Sequence, residues 1–159
     1  FQGRMEAGPR ALGHRSILAD PRDPGIKERL NREVKHREEF RPYAPSVLEN
    51  HAGDYFEKAD VSPYMLRVFT VKEEKRNTIP GVVHADGTAR VQTVAEKTNP
   101  RYWNVIESFR KETGIPMLVN TSFNRRGEPI VCTPDDAVAT FKGTRLGALA
   151  IGSFWVERT

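Results

Sequence analysis

Residues 117–127 read Met-Leu-Val-Asn-Thr-Ser-Phe-Asn-Arg-Arg-Gly, and they indicate an α/β protein with a polar site at one strand end. The apolar run 117–119 is typical of a short buried strand, and 120–127 are predicted as a polar loop. Ligands of α/β sheets bind outside the carboxyl ends of strands. Ser122 and Asn124 face the same way if the chain is extended there. The alternative is a turn whose polar side chains only satisfy its own backbone.

The elements predicted on either side interleave irregularly, which favours one domain with a mixed sheet flanked by helices. Asp23-Pro24, Asn99-Pro100 and Thr133-Pro134 are typical helix starts. The helices they open are predicted at 24–34, 100–114 and 134–145. Strands are predicted at 64–71, 149–151 and 154–156, with a hairpin that joins 82–84 to 90–94 through Asp86-Gly87.

A cationic segment, Lys35-His36-Arg37-Glu38-Glu39-Phe40-Arg41, precedes two prolines and is predicted to be extended. An extended chain places Lys35, Arg37 and Arg41 on one face, where their side chains suit phosphate oxygens. The alternative is a solvated edge strand protected by charge. Residues 8–16 contain a glycine-rich turn that presents Arg10, but they depart from the phosphate-loop pattern because His14 and Arg15 replace its lysine.

Composition indicates a folded protein with a local basic surface. The 159 residues carry a net charge of +4, and residues 1–41 hold ten Lys and Arg against seven Asp and Glu. Such a surface suits nucleotides, phosphorylated metabolites or nucleic acid. Cys132 is the one cysteine, so an internal disulfide is impossible and a reducing, cytoplasmic location is expected. No apolar run reaches membrane-spanning length, and the histidines lack metal-ligand spacing.

Four ordered motifs resemble one enzyme family. They are residues 1–22 (FQGRMEAGPRALGHRSILADPR), Lys35-x-Arg37-x-x-Phe40-Arg41-Pro42, Asp86-Gly87-Thr88-x-Arg90-x-Gln92, and Asn120-Thr121-Ser122-Phe123-Asn124. They resemble the C-terminal domain of the NodU/CmcH-type O-carbamoyltransferases of nodulation and antibiotic biosynthesis. Ala7 departs from the family pattern, because many relatives carry an aromatic residue there.

The resemblance implies a fold and a reaction. Residues 1–159 are expected to form a single YrdC/Sua5-like domain, an α/β fold with a twisted mixed sheet flanked by helices. Such a domain uses ATP, with Mg²⁺, and carbamoyl phosphate to form carbamoyl-adenylate. An iron-binding Kae1-like domain in cis then transfers the carbamoyl group to a hydroxyl acceptor. Because the chain begins without methionine and shows no resemblance to that partner domain, we expect a fragment of a longer protein.

The family's nucleotide site carries a Lys-x-Arg and a Ser-x-Asn pair, which Lys35-His36-Arg37 and Ser122-Phe123-Asn124 match. The resemblance therefore implies catalytic roles for Arg10, Lys35 and Arg41, with Arg10 and Arg41 toward the carbamoyl donor. It implies nucleotide or phosphate contacts from six residues: Lys35, Arg37, Arg90, Asn120, Ser122 and Asn124. No metal ligand is expected among the residues of this chain.

Two other functions remain open at this stage. An RNA-binding or tRNA-modification module of YrdC type is suggested by the basic N-terminal third, although aromatic residues do not interleave with the basic ones. A non-catalytic docking domain would use the same cations to contact its partner domain. The motifs leave open the acceptor substrate, the oligomeric state and the side chains that contact adenine.

Overall fold

The computed structural model describes residues 1–158, which contain seven β-strands and four α-helices. The seven strands are β1 (Ser16–Ala19), β2 (Ala44–Leu48), β3 (Arg67–Thr70), β4 (Thr88–Val94), β5 (Met117–Ser122), β6 (Ala148–Ile151) and β7 (Phe154–Glu157). The four α-helices are α1 (Ile26–Leu30), α2 (Ala52–Tyr55), α3 (Pro100–Thr113) and α4 (Pro134–Lys142).

Five of these strands form one mixed sheet in the order β1-β5-β2-β4-β3. β2 and β4 are parallel, and the other neighbours in this sheet are antiparallel. β6 and β7 form a separate antiparallel pair. The predicted mixed sheet flanked by helices is confirmed, and β2 lies at its centre with all five residues buried.

Alternation along the central strands sends neighbouring residues to opposite faces. Val47 and Val119 belong to the larger core cluster, which also holds Ile26, Leu30 and Val34 of the first helical segment. Their neighbours Leu48 and Leu118 belong to a second cluster, with Tyr102 and Ile106 of α3. Helices therefore cover both faces of the sheet.

The predicted helix from Asn99-Pro100 to Gly114 is confirmed with its caps. The Asn99 side chain accepts a hydrogen bond from the Tyr102 amide, and Gly114 ends the helix in a left-handed conformation at φ 78°. The predicted helix after Thr133 is confirmed in part, since α4 ends at Lys142 and not near Arg145. Its start is a capping box in which Thr133 and Asp136 each accept from the other's backbone N–H.

Other boundaries differ from the predictions. The first helix begins at Ile26, because Asp23 Oδ1 accepts from the Gly25 amide, and a π-helical turn, Asn31–Lys35, continues it. The predicted hairpin is wrong: Asp86-Gly87 does form a turn into β4, but residues 82–84 form no strand, and β4 pairs with β3 and β2. β5 continues to Ser122 through residues predicted as loop.

Within residues 1–158, none of the helices combines the length and the apolar character needed to cross a lipid bilayer.

Candidate functional site

Polar residues replace apolar ones along the sheet face that α3 covers. At one end Leu48, Val94 and Leu118 pack beneath the helix. One step further along the same strands lie Ser46, Gln92 and Asn120, all at most 4% exposed. Ser46 Oγ donates to Gln92 Oε1 at 2.6 Å, and Asn120 Nδ2 donates to the same oxygen at 3.0 Å.

A small opening lies at the polar end of this face. Ala44 is opposite Asn120 on β2, and the β2–β4 register places Arg90 beside Ala44 on the other side. Since alanine fills little space, a gap remains between the amide and the guanidinium. This gap opens into a cavity of about 100 Å³. Its walls are Pro9, Arg10, Ala11, Arg37, Pro42, Tyr43, Ala44, Met65, Arg90, Asn120, Thr121 and Ser122.

Five of the predicted site residues therefore share one cavity, although they are dispersed along the chain: Arg10, Arg37, Arg90, Asn120 and Ser122. A loop before β1 supplies Arg10, a loop before β2 supplies Arg37, and β4 and β5 supply the rest. Three guanidinium groups thus surround a floor of amide and hydroxyl groups.

Glu6 holds the loop that carries Arg10. Its Oε1 accepts from the backbone amides of Leu12 at 2.8 Å and His14 at 2.7 Å. Gly13 between them has φ +123°, and a Cβ there would lie 2.4 Å from the Tyr102 ring. Only glycine fits this conformation so close to α3. Gln92 of β4 and Asn120 of β5 donate to the backbone carbonyls of the same loop, so it lies on the sheet and closes one side of the cavity.

Arg37 is positioned by Asn31, which is fully buried in the π-helical turn. Asn31 Oδ1 accepts from Arg37 Nε at 2.8 Å and from the Tyr43 hydroxyl at 2.7 Å. Asn31 Nδ2 donates to the backbone carbonyls of Glu39 and Arg41. One amide side chain thus ties the whole segment before β2 to the helix.

The predicted extended conformation of the Lys35–Arg41 segment is wrong. Lys35 ends the π-helical turn, and His36 follows in the left-handed region at φ 45°. The helical pattern of Ile26, Leu30 and Val34 runs on for one more turn, and Asn31 then binds the loop carbonyls. The three cations consequently do not share a face.

Lys35 lies behind the cavity wall and does not line it. It is 5% exposed, and its Nζ donates to Asn124 Oδ1 at 2.7 Å and to the carbonyl and hydroxyl oxygens of Ser122. All these acceptors are neutral. Burial, followed by the nearby Arg37 charge, lowers the pKa of Lys35 from its ordinary value of 10.5 to about 7. The structure thus brings Lys35 to the Ser122–Asn124 pair.

Arg41 and Asn124 lie outside the cavity. The Arg41 side chain is 53% exposed and forms a salt bridge to Glu38 at 2.9 Å. Asn124 is held on the far side of Ser122, where its Nδ2 donates to the Glu128 carbonyl at 2.8 Å. The structure therefore separates Arg41 from the other predicted site residues, whereas Asn124 contacts Lys35 and Ser122 outside the cavity.

The cavity has an excess of cationic donors. Arg10 Nε and Arg90 Nε are buried, and within the described part of the chain neither has a hydrogen-bond partner. Burial, then the Arg10 charge, lowers the pKa of Arg90. No acidic side chain is among the described residues that line the cavity. Half-burial of cations without counter-charges has a free-energy cost, and an anion bound between them offsets that cost.

The sequence pattern did not reveal the residues that hold this site together. Glu6, Asn31, Tyr43 and Ser46 act through side-chain hydrogen bonds to residues that lie between 6 and 74 positions away in the chain. The one available signal was Gln92, which shares a strand face with Arg90. The other four residues have no spacing that distinguishes them from ordinary surface or core positions.

The whole described chain matches the model of one protein family, the carbamoyltransferase C-terminus, over residues 1–158. The chain belongs to this family. The family resemblance expected from the four motifs is thereby confirmed.

Curated relatives are considerably longer than the chain. Nodulation protein NolO of Bradyrhizobium diazoefficiens is 52% identical over 99% of the chain, which spans 29% of that relative. Nodulation protein NolNO of Sinorhizobium fredii is 54% identical over 99% of the chain, which spans 24% of it. An uncharacterized protein of Methanocaldococcus jannaschii is 46% identical over 99% of the chain, which spans 26% of it. These lengths are consistent with a second domain in cis.

Proposed function

We propose that this carbamoyltransferase domain binds ATP and carbamoyl phosphate and forms carbamoyl-adenylate. A further domain of the same polypeptide would then transfer the carbamoyl group to a hydroxyl acceptor. The observation that carries this proposal is the cavity with three guanidinium groups, Arg10, Arg37 and Arg90, and no acidic lining residue among those described.

The size of the cavity supports a small anion as its occupant. About 100 Å³ suits a phosphate-sized group and is well below the 300–1,000 Å³ of typical drug-sized ligand pockets. We therefore place carbamoyl phosphate in the cavity. ATP would extend from it along the rim formed by Ser122 and Arg37, with Lys35 supporting that rim from behind.

The proposed reaction needs positioning and charge neutralisation and no protein nucleophile. Water cleaves carbamoyl phosphate into carbamate and phosphate, and a carbamate oxygen then attacks the α-phosphorus of ATP as pyrophosphate leaves. Negative charge spreads over the phosphoryl oxygens during this displacement, and the guanidinium groups would stabilise that charge. Carbamate decomposes in water, so a closed site with few water molecules favours the second step.

Mg²⁺ would enter with the nucleotide. Mg²⁺ binds one or two carboxylates together with substrate phosphates, and the described cavity lining offers no carboxylate. The phosphate oxygens of ATP would therefore supply most of its ligands, and the ion would neutralise charge on the triphosphate.

The decisive experiment is carbamoyl-phosphate-dependent exchange of labelled pyrophosphate into ATP. It should be run with the 159-residue chain and with the longest polypeptide that contains it. Exchange that requires carbamoyl phosphate supports the proposal. If both proteins lack exchange and neither binds ATP, the proposal is wrong.

A titration of ATP against the Arg37→Ala variant separates catalysis from docking. A cation that contacts the nucleotide should lower affinity when removed, by about 10- to 100-fold for a charged hydrogen bond. Arg29→Ala is the matched control, because Arg29 is an exposed arginine that pairs with Asp23 on the same helical segment. Unchanged ATP affinity in Arg37→Ala would favour a docking role.

A further inference from the structure

Asn120 combines deep burial with an acceptor that the protein leaves unused. The residue is 1% exposed and lines the arginine cavity. Its Nδ2 has three acceptors, the Ala11 carbonyl at 3.1 Å, Ser46 Oγ at 2.9 Å and Gln92 Oε1 at 3.0 Å. Its Oδ1 is buried and, among residues 1–158, has no hydrogen-bond partner.

Two backbone carbonyls determine the orientation of this amide. Gln92 Nε2 donates to the Leu12 carbonyl at 3.0 Å, so Gln92 Oε1 must point toward Asn120. The Ala11 carbonyl also faces Asn120 and can only accept. The reversed amide would set Oδ1 against both acceptors. Asn120 therefore keeps its Nδ2 on the protein side and leaves Oδ1 as the free group.

The free Oδ1 differs in kind from the three guanidinium groups around the cavity. Arg10, Arg37 and Arg90 only donate hydrogen bonds, and their natural partners are phosphate oxygens. A carbonyl oxygen cannot bind a phosphate oxygen that carries no proton. It requires an N–H or O–H donor, and a buried acceptor without one is costly.

We propose that Asn120 Oδ1 accepts a hydrogen bond from the NH₂ group of the carbamoyl donor and so selects it against acyl phosphates. The proposal rests on the proposed function. The phosphate of the donor lies among the guanidinium groups, and its carbamoyl end lies over Ala44 toward Asn120. This role replaces the nucleotide or phosphate contact that the resemblance implies for Asn120, because the protein already occupies its amide donors.

The preference for carbamoyl phosphate over acetyl phosphate follows from the hydrogen bond to Asn120 Oδ1 that acetyl phosphate cannot form. Acetyl phosphate has nearly the same shape, but a methyl group takes the place of the NH₂ group and leaves Oδ1 buried without a partner. A site built around a substrate N–H rejects an analogue that lacks it more strongly than an apolar pocket rejects a small change in size. We expect one such hydrogen bond to give a preference of about 10- to 100-fold.

The test compares two stable phosphonates by isothermal titration calorimetry. Phosphonoacetamide keeps the NH₂ group, and acetonylphosphonate replaces it with a methyl group. The proteins are the wild type, Asn120→Leu, which removes the acceptor, and Ser46→Ala. The last variant removes one partner of Asn120 Nδ2 and leaves Oδ1 in place, so it reports damage to the network alone.

The wild type and Ser46→Ala should prefer the amide, and Asn120→Leu should bind the two phosphonates alike. Equal binding by the wild type, or a preference that survives Asn120→Leu, overturns the assignment. The wild-type comparison decides the question even if Asn120→Leu does not fold. If carbamoyl phosphate supports exchange while the phosphonates compete equally, only the role of Asn120 fails. If the wild type binds neither phosphonate and shows no exchange, the proposed function fails as well.

Discussion

The two ends of one sheet face differ in what covers them. At the apolar end, α3 seals Leu48, Val94 and Leu118 with Tyr102 and Ile106. At the polar end, a loop and three arginines surround a cavity in which Arg10 Nε, Arg90 Nε and Asn120 Oδ1 have no hydrogen-bond partner among the described residues. The same strands build both ends. We therefore expect the first end to contribute stability and, under the proposed function, the second to contribute binding. Substitutions should separate the two.

The largest expected effect comes from the apolar end. Ile106 is fully buried, and Ile106→Ala should lower the free energy of unfolding by about 2–5 kcal/mol, because it leaves a cavity under α3. Urea unfolding measures this loss. Val105→Ala on the same helix is the control, since Val105 is 45% exposed and should lose far less. Carbamoyl phosphate affinity should not change under conditions where the variant stays folded.

Removing a cation from the polar end should have the opposite pattern. Arg90→Ala should cost about 2–4 kcal/mol of transition-state stabilisation, which is about 30- to 1,000-fold in kcat/KM for pyrophosphate exchange. The free energy of unfolding of Arg90→Ala should stay unchanged or rise, because the substitution removes a half-buried charge that the Arg10 charge repels. A fall in stability with unchanged exchange would show that Arg90 belongs with the structural end.

Lys35, behind the polar end, should make the free energy of unfolding depend on pH. Its pKa of about 7 in the folded chain lies below its ordinary value of 10.5. Between these values the unfolded chain retains a proton that the folded chain has lost, so stability rises with pH. The slope should reach about 1.4 kcal/mol per pH unit from this one group.

The measurement is the pH dependence of urea unfolding for the wild type, Lys35→Met and Lys97→Met, without nucleotide. Subtracting the Lys35→Met curve should isolate a rise from pH 7 to 10. Lys97 is exposed, and its replacement should leave the wild-type slope in place. If Lys35→Met has the wild-type slope, the amine is not the titrating group.

The smallest effect tests the boundary of the polar end. Arg41→Ala removes an exposed cation that pairs only with Glu38 among the described carboxylates, and such pairs contribute about 0–1 kcal/mol. Pyrophosphate exchange should change by less than about threefold, and the free energy of unfolding by less than about 1 kcal/mol. A loss as large as that of Arg90→Ala would place Arg41 in the reaction after all.

Features that depend on interactions between residues close together in the chain could be predicted from the sequence. The caps Asn99, Gly114 and Thr133 satisfy backbone groups within a few residues of themselves, so their effect is visible in the sequence. The apolar run at 117–119 likewise predicted a buried strand, although β5 continues to Ser122. The apolar pattern does not predict this extension. β5 pairs with β1 on one side and with β2 on the other, and these backbone hydrogen bonds hold its polar residues in a strand.

The site itself depended on contacts between distant segments. The predicted extended conformation of the cation-rich run 35–41 is wrong because Asn31 sets its conformation through hydrogen bonds to two carbonyls of that run. Arg41 was grouped with Lys35 and Arg37 for the same reason. The hydrogen bonds of the Asn31 side chain cannot be predicted from the periodicity of the sequence.

By itself, the sequence determined the family, the mixed α/β class and the capped helices, because these depend on ordered motifs and on interactions within one or two turns. Only the tertiary structure decided that Arg10, Arg37, Arg90, Asn120 and Ser122 share one cavity while Arg41 faces solvent. It also decided that Lys35 lies behind this cavity as a buried amine of lowered pKa. The physical reason is that burial, charge proximity and unmade hydrogen bonds arise only when segments far apart in the chain pack together.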